Sequence, residues 1–305
     1  DFMGHKRVHE SAAVWTIYHA IDSETANPFQ AYQATRYVDT AIPHIPVTAH
    51  GLKENGYATI ATTNWLPYSW SINNVAFAEV MHTALSYFQA GRADAGYKLL
   101  KSSVLDGMYL GDSPGNFGQI SFYDAARGEC YRDFGDPIGV ASRVLIQGLF
   151  GILPDALNKQ IILRPGFPAD WDKASVSTPD ISYRFTRKED TDTYHITQRF
   201  QTPLHPVLQI NARKEKIRSV KVNDVPATWQ SIESAHGYPL LSIQAEGTSS
   251  TTITIEWEGA PLHTLAAQEL VIASNGKLAL QIPSGASISQ VYDPQSVLAK
   301  HTMGA

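Results

Sequence analysis

Carboxylates beside arginines, at positions where loops enter helices, are the groups in this sequence best placed to do chemistry. The segment ARGECYRDFGDPIG (126–139) gathers Glu129, Asp133 and Asp136 with Arg127 and Arg132. A second candidate, Glu10, stands beside His9 and Arg7 at the start of a helical pattern. Two carboxyl groups around one bond can divide the work of breaking it: one delivers a proton to the leaving oxygen, and the other activates water or attacks directly. One of the pair must then sit in an apolar setting that raises its pKa while the other stays ionised, and the residues leave open which is which.

Each acid also has a plain structural alternative. A glutamate in a first helical turn is favoured by the helix dipole, which covers Glu10. Asp136 precedes Pro137 and is more readily explained as a helix N-cap than as a catalyst. Ion pairs with Arg127 and Arg132 would account for Glu129 and Asp133. Asp22 and Glu54 are weaker candidates.

The stretch TNWLPYSWSINN (63–74) raises a related question, because three large aromatics and three asparagines crowd into a loop ahead of a helix. Sugar rings present C–H faces that pack on flat aromatics, while their hydroxyls seek amides and charged groups. Trp65, Tyr68 and Trp70 are therefore candidate sugar platforms, with Asn64 and Asn73 as hydroxyl partners and His9, Arg127 and Arg132 as further contacts. The competing reading is that these rings fill the base of the loop.

Positioning such groups falls to a helical half and a strand half. Residues 8–22 carry apolar side chains at helical spacing, and Asn27-Pro28 opens a second helix through Val38. Residues 43–62 read as a loop excursion with a short hairpin. The patterns 75–90 and 93–110 end at Gly91 and Gly111 and should form an antiparallel pair. Residues 136–152, apolar nearly all round, predict an inner helix.

From Ile161 the period becomes two, with two strands around a polar turn in 181–200, further strand patterns in 207–213 and 219–229, and a closing one near residue 259, a β-sandwich pattern. The tail predicts two or three more strands around Asn275-Gly276. RPGFPADWDKASVSTPD (164–180) reads as the linker. This gives a helical domain at 1–163 and a β-sandwich domain with extra C-terminal strands at 164–305.

Composition narrows the partners. Of 305 residues 43% are hydrophobic and 17% charged, and the net charge of −5 gives no attraction to nucleic acid or an anionic membrane. No run is long and apolar enough for a membrane span. Cys130, the single cysteine, can form no internal disulfide and leaves the compartment open. The histidines make no HExxH-type pair, and GDSPGNFGQISFYD matches no phosphate-binding loop, so no metal and no organic cofactor are expected.

The motifs RVHESAAVWTIYHAID, PFQAYQATRYVDTAIPHIPV, NWLPYSWSINNVAFAEVMHTAL and YRDFGDPIGVASRVLIQGLFGI, followed by LRPGFPADW and a strand-rich half, resemble the (α/α)6-barrel glycoside hydrolases. They look most like the bacterial pectin-degrading group that includes the β-L-arabinofuranosidases of glycoside hydrolase family 142. The resemblance implies helical hairpins of a toroid followed by an antiparallel β-sandwich. It implies hydrolysis of plant cell-wall oligosaccharides by a two-carboxylate mechanism, with a base just ahead of the last helices, in a periplasmic or secreted protein. A full barrel has twelve helices and about half are visible here, so the rest is expected in a longer parent chain. Two other readings compete: a polysaccharide lyase recruiting His44, Tyr68 and Arg127, and a noncatalytic carbohydrate-binding or assembly module.

Overall fold

The computed structural model describes residues 14–62, 74–110, 122–124, 129–131, 135–232, 237–262 and 270–280, with positions 282, 288, 291, 293 and 296–299 beyond. It combines helices with mostly antiparallel sheets. Residue contacts group Asp1–His263 into one compact unit and Thr264–Ala305 into another.

In the first unit, α1 (Val14–Asp22) is followed by α2 (Pro28–Ala41). Asn27 sets the start of α2. Its side chain accepts from the Gln30 amide while Gln30 reaches back to the Asn27 amide, both at 2.9 Å, and Pro28 has no N–H to leave unpaired. After β1 (His44–Pro46), β2 (Ala58–Ile60) and β3 (Asn74–Ala76), the chain enters α3 (Phe77–Gln89) and α4 (Ala93–Val104).

The turn between α3 and α4 is the one the glycine predicts. Gly91 adopts φ +75°, its N–H bonds to Phe88 O and that of Arg92 to Tyr87 O, so the last carbonyls of α3 are satisfied within three residues. A π-helical turn, Leu105–Leu110, extends α4. Two short strands, β4 (Phe122–Asp124) and β5 (Glu129–Tyr131), lead to α5 (Asp136–Arg143), itself extended by a π-helical turn at Val144–Leu149.

Three of these helices run parallel. Along α1 and α3, Tyr18 stacks on His82 with ring centroids 4.7 Å apart, and Gln89 donates to Asp22 at 2.9 Å, so both helices advance together. Strand β5 pairs with β4, and β4 with β3, which places the start of α5 beside the start of α3; at the far end Gly148 abuts Phe88. Helix α4 returns antiparallel to α3.

The helix 136–152 departs from its expectation. It does not sit wholly inside: Ile138 is 59% and Leu145 42% exposed, and within α5 only Pro137 is buried. An apolar composition allows burial all round but requires it only where neighbouring elements exist to cover each face. Asp136 is also not the cap. Gly135, which has no side chain to cap with, occupies the N-cap position, and Asp136 is the first helical residue.

Strand structure begins earlier than the change of period suggests, at β6 (Ile152–Asp155) and β7 (Gln160–Leu163). The remaining strands are β8 (Lys173–Ser177), β9 (Ile181–Lys188), β10 (Thr191–Gln198), β11 (His205–Asn211), β12 (Lys214–Val222), β13 (Val225–Pro226), β14 (Gln230–Ile232), β15 (Leu240–Gln244) and β16 (Ser250–Pro261). They form a six-stranded sheet, β13-β12-β16-β10-β9-β8, and a five-stranded sheet, β14-β15-β11-β7-β6. All pairs are antiparallel except β7 with β11.

Alternation places Tyr183, Phe185, Tyr194, Ile253, Ile255 and Trp257 in the core. Buried Asp192 is satisfied by Arg187 at 3.0 Å, Arg213 at 3.1 Å and the Trp257 indole N–H at 3.0 Å. The segment 164–180 contains β8. Its Phe167 stacks on Phe185 and Trp171 and meets Phe150 edge-on, so aromatic packing ties it to both the preceding helical turn and the sheet.

Among the described residues of Thr264–Ala305 there is no strand, contrary to the sequence expectation. The Asn275 turn does form, with φ +65° and the Gly276 N–H on Ala273 O at 2.8 Å. Turn chemistry is local, whereas an isolated hairpin is marginal without a further strand or an apolar surface to cover its face.

Candidate functional site

The parallel course of α1, α3 and α5 brings their N-termini to one end of the helical part. The excursions between helices lie at this end. The amide of Val14 bonds to Thr62 O just after β2, the Ala58 amide to Ser102 near the end of α4, and β3-β4-β5 stand directly before α3 and α5. At the opposite end the described connections between helices are short turns, Ser23–Asn27 and Ala90–Arg92. Three helix N-termini and the short strands β1–β5 thus share one side, where partial positive charge converges.

Glu79, in the first turn of α3, is the carboxyl group this end holds most tightly. Burial pushes its pKa above the ordinary carboxylate range, and hydrogen bonds from Thr62 and Trp15 pull only partly against that shift. Its Oε2 is closed off from solvent and accepts no hydrogen bond among the described residues. An unpartnered buried oxygen is costly when charged and tolerable when protonated, so the setting favours the neutral acid. Below it, burial and the charge of Glu79 raise the Tyr18 phenol. His82, stacked on Tyr18, is held below its usual pKa by burial and by the nearby Arg143 charge.

The sequence reading passed over Glu79 because AFAEVMHTAL reads as an ordinary helix with one acid in its first turn. The available signal was its place directly behind the aromatic stretch, in the first turn of α3.

Of the predicted site residues, Glu10, His9, Asn64, Trp65, Tyr68, Trp70, Asn73, Arg127, Arg132 and Asp133 lie outside the described residues. The backbone of Glu129 is placed: it pairs with Asp124, which pairs with Asn74, the residue three before the start of α3. Two strand spacings put Glu129 about 10 Å across the sheet from Asn74. Asp136 is exposed at the start of α5, on the same end.

The weaker candidates are accounted for otherwise. Asp22 lies at the opposite end of α1. Burial alone would raise its pKa, but hydrogen bonds from Arg143 and Gln89 outweigh that and hold it low. Glu54 is exposed, and its hydrogen bonds with Lys101 and then Tyr57 hold its carboxyl low. His44 is exposed on β1, with Nδ1 2.9 Å from Ile42 O.

No protein-family model and no curated protein matches this chain. Thirteen chains of solved structures do. An α-L-rhamnosidase from Dictyoglumus thermophilum matches at 12% identity and TM-score 0.38, over 60% of this chain and 21% of that one. One from Streptomyces avermitilis, complexed with L-rhamnose, matches at 12% identity and TM-score 0.44, over 82% of this chain and 23% of that one. This chain therefore spans under a quarter of the length of either enzyme. Likeness this distant carries no argument about chemistry, and the functional reading rests on the residues. Among the described residues no helix is long and apolar enough to cross a membrane.

Proposed function

We propose that this chain is a glycoside hydrolase, or the catalytic half of one, acting on plant cell-wall oligosaccharides, with its working end at the gathered N-termini of α1, α3 and α5. The observation that carries the reading is the carboxyl of Glu79 at that end, whose buried Oε2 has no hydrogen-bond partner among the described residues and whose pKa burial raises above its ordinary value. A general acid must keep its proton near neutral pH, and desolvation is the physical means of doing so. Glu129, in the sheet beside the start of α3, or Asp136, exposed at the start of α5, would supply the ionised partner. Glu10 and Asp133 remain candidates for the same pair.

Trp65, Tyr68 and Trp70, in the stretch that leads into α3, are the proposed sugar platforms. The helical hairpins would form part of an (α/α)6-type toroid of the kind found in the β-L-arabinofuranosidases of glycoside hydrolase family 142. A periplasmic or secreted location fits such a substrate. Because Glu79 Oε2 is closed in the resting molecule, the mechanism requires substrate entry to uncover it.

The test is Glu79→Gln on the full chain, assayed by release of reducing sugar from neutral cell-wall oligosaccharides. Glutamine keeps the oxygen that accepts from Trp15 and Thr62 but holds no transferable proton. Loss of turnover by about 10²–10⁴-fold with an unchanged fold is expected. Activity that survives Glu79→Gln but is lost in Glu10→Gln would move the acid to α1's approach and overturn the Glu79 assignment. A product absorbing in the near ultraviolet would indicate a lyase instead.

A further inference from the structure

A cavity of about 600 Å³ lies at the other end of the helices, between the C-terminal ends of α1 and α3 and the five-stranded sheet. That volume is typical of a small-molecule site. Gln89 on its wall is ten residues along α3 from Glu79, about 15 Å at the helical rise, so this cavity is separate from the proposed catalytic end.

The chemistry of its wall is specific. Four ionisable groups line it, Asp22, Glu24, Arg143 and Arg164, and their formal charges cancel. Arg143 grips Asp22 through two bonds at 2.8 and 2.6 Å. Its Nε donates to Gln147 Oε1 at 2.8 Å. On the sheet side Arg164 donates twice to Gln209 Oε1, at 2.8 and 2.6 Å.

Arginine has no acceptor, so each glutamine must turn its oxygen toward the guanidinium and leave its NH2 free. The orientation of both amides is thereby fixed by chemistry. Neither NH2 makes a hydrogen bond among the described residues, and Asn211 adds an amide that can both donate and accept. Ile21, Leu153 and Ile162 supply apolar surface between these polar groups.

We infer that this cavity binds a neutral, polyhydroxylated ligand, a short saccharide, through the outward amides of Gln147 and Gln209. Hydroxyl and ring oxygens accept from the two NH2 groups, sugar hydroxyls donate to Asp22 and Asn211, and C–H faces meet the aliphatic patches. Arg143 is paired with Asp22, and Arg164 bonds the neutral Gln209 with Glu24 as its acidic neighbour, so the wall carries no net charge to favour an anion, and a cation would compete with Arg143 for Asp22. The inference does not depend on hydrolysis at the Glu79 end.

Glu substitutions separate ligand binding from support of the fold. In Gln147→Glu and Gln209→Glu the new carboxylate still accepts from its arginine, but the outward NH2 is gone. Titration calorimetry on the full chain would use neutral pentoses, hexoses and their disaccharides, with galacturonate as the anionic arm. Expected is saccharide binding that weakens at least tenfold in each variant, with melting temperature unchanged, and that is retained in Glu79→Gln. Absence of neutral saccharide binding, binding indifferent to both Glu variants, or loss only in Glu79→Gln would each overturn the cavity site. Galacturonate binding as tightly as neutral sugars would overturn the ligand class.

Discussion

Phe88 is the point where helix, turn and sheet meet, and its surroundings give a quantitative prediction. The ring is 6% exposed and enclosed by glycines from three segments. A Cβ added at Gly96, Gly148 or Gly166 would fall 3.1, 2.6 or 2.3 Å from the nearest ring carbon. The positions differ in what else they meet. At Gly148 the close atoms belong to the Phe88 ring alone, which can tilt. At Gly166 the carbonyl oxygen of Gly148 also stands at 2.8 Å, and backbone cannot swing away.

Overpacking a core costs about 1–3 kcal/mol, so Gly148→Ala belongs near the lower figure and Gly166→Ala near the upper. In a Phe88→Leu background the ring clash is gone. Gly148→Ala should then become nearly neutral, a coupling of about 1 kcal/mol, while Gly166→Ala should keep most of its cost. Urea denaturation followed by tryptophan fluorescence measures this as a shift in midpoint at constant slope, with roughly 2–4 °C of melting temperature per kcal/mol as a cross-check. Simple additivity of Phe88→Leu with Gly148→Ala, or equal costs at the two glycines, would refute the argument.

Two further outcomes follow from buried carboxyl groups. Glu79 has a folded pKa above its ordinary value of 4.5, so between the two values the folded state holds a proton that the unfolded state has lost. Stability conferred on the protonated form therefore fades as pH rises through that window, by about 1.4 kcal/mol per pH unit, and levels off above the folded pKa. Relative to wild type, Glu79→Gln should gain melting temperature as pH rises from 4.5; a pH-independent difference would contradict the buried-acid reading. Asp192→Ala should cost about 3–5 kcal/mol in urea titrations, because Arg187, Arg213 and the Trp257 N–H lose their shared acceptor. Asp192→Asn, which still offers one acceptor, should cost less.

Much of the local structure is written in the sequence by itself. Asn27-Pro28 with Gln30 dictates a helix start because capping needs only residues three apart, and Gly91 dictates a stop because few other residues accept its positive φ. Alternation in 181–200 assigns Tyr183, Phe185, Tyr194 and Ile196 to the core, since strand geometry sends successive side chains to opposite faces.

The third dimension decided what depends on neighbours. Whether α5 is covered, whether the tail around Asn275 pairs into a sheet, and whether Asp136 or Gly135 caps a helix are settled by which surfaces are available nearby. The same holds for the carboxyl groups. Asp22 and Glu79 are both acids on regular helices, yet one is ionised against Arg143 and the other is driven toward its neutral form. A pKa is set by burial and by charges brought from distant parts of the chain, and spacing along α1 or α3 contains neither.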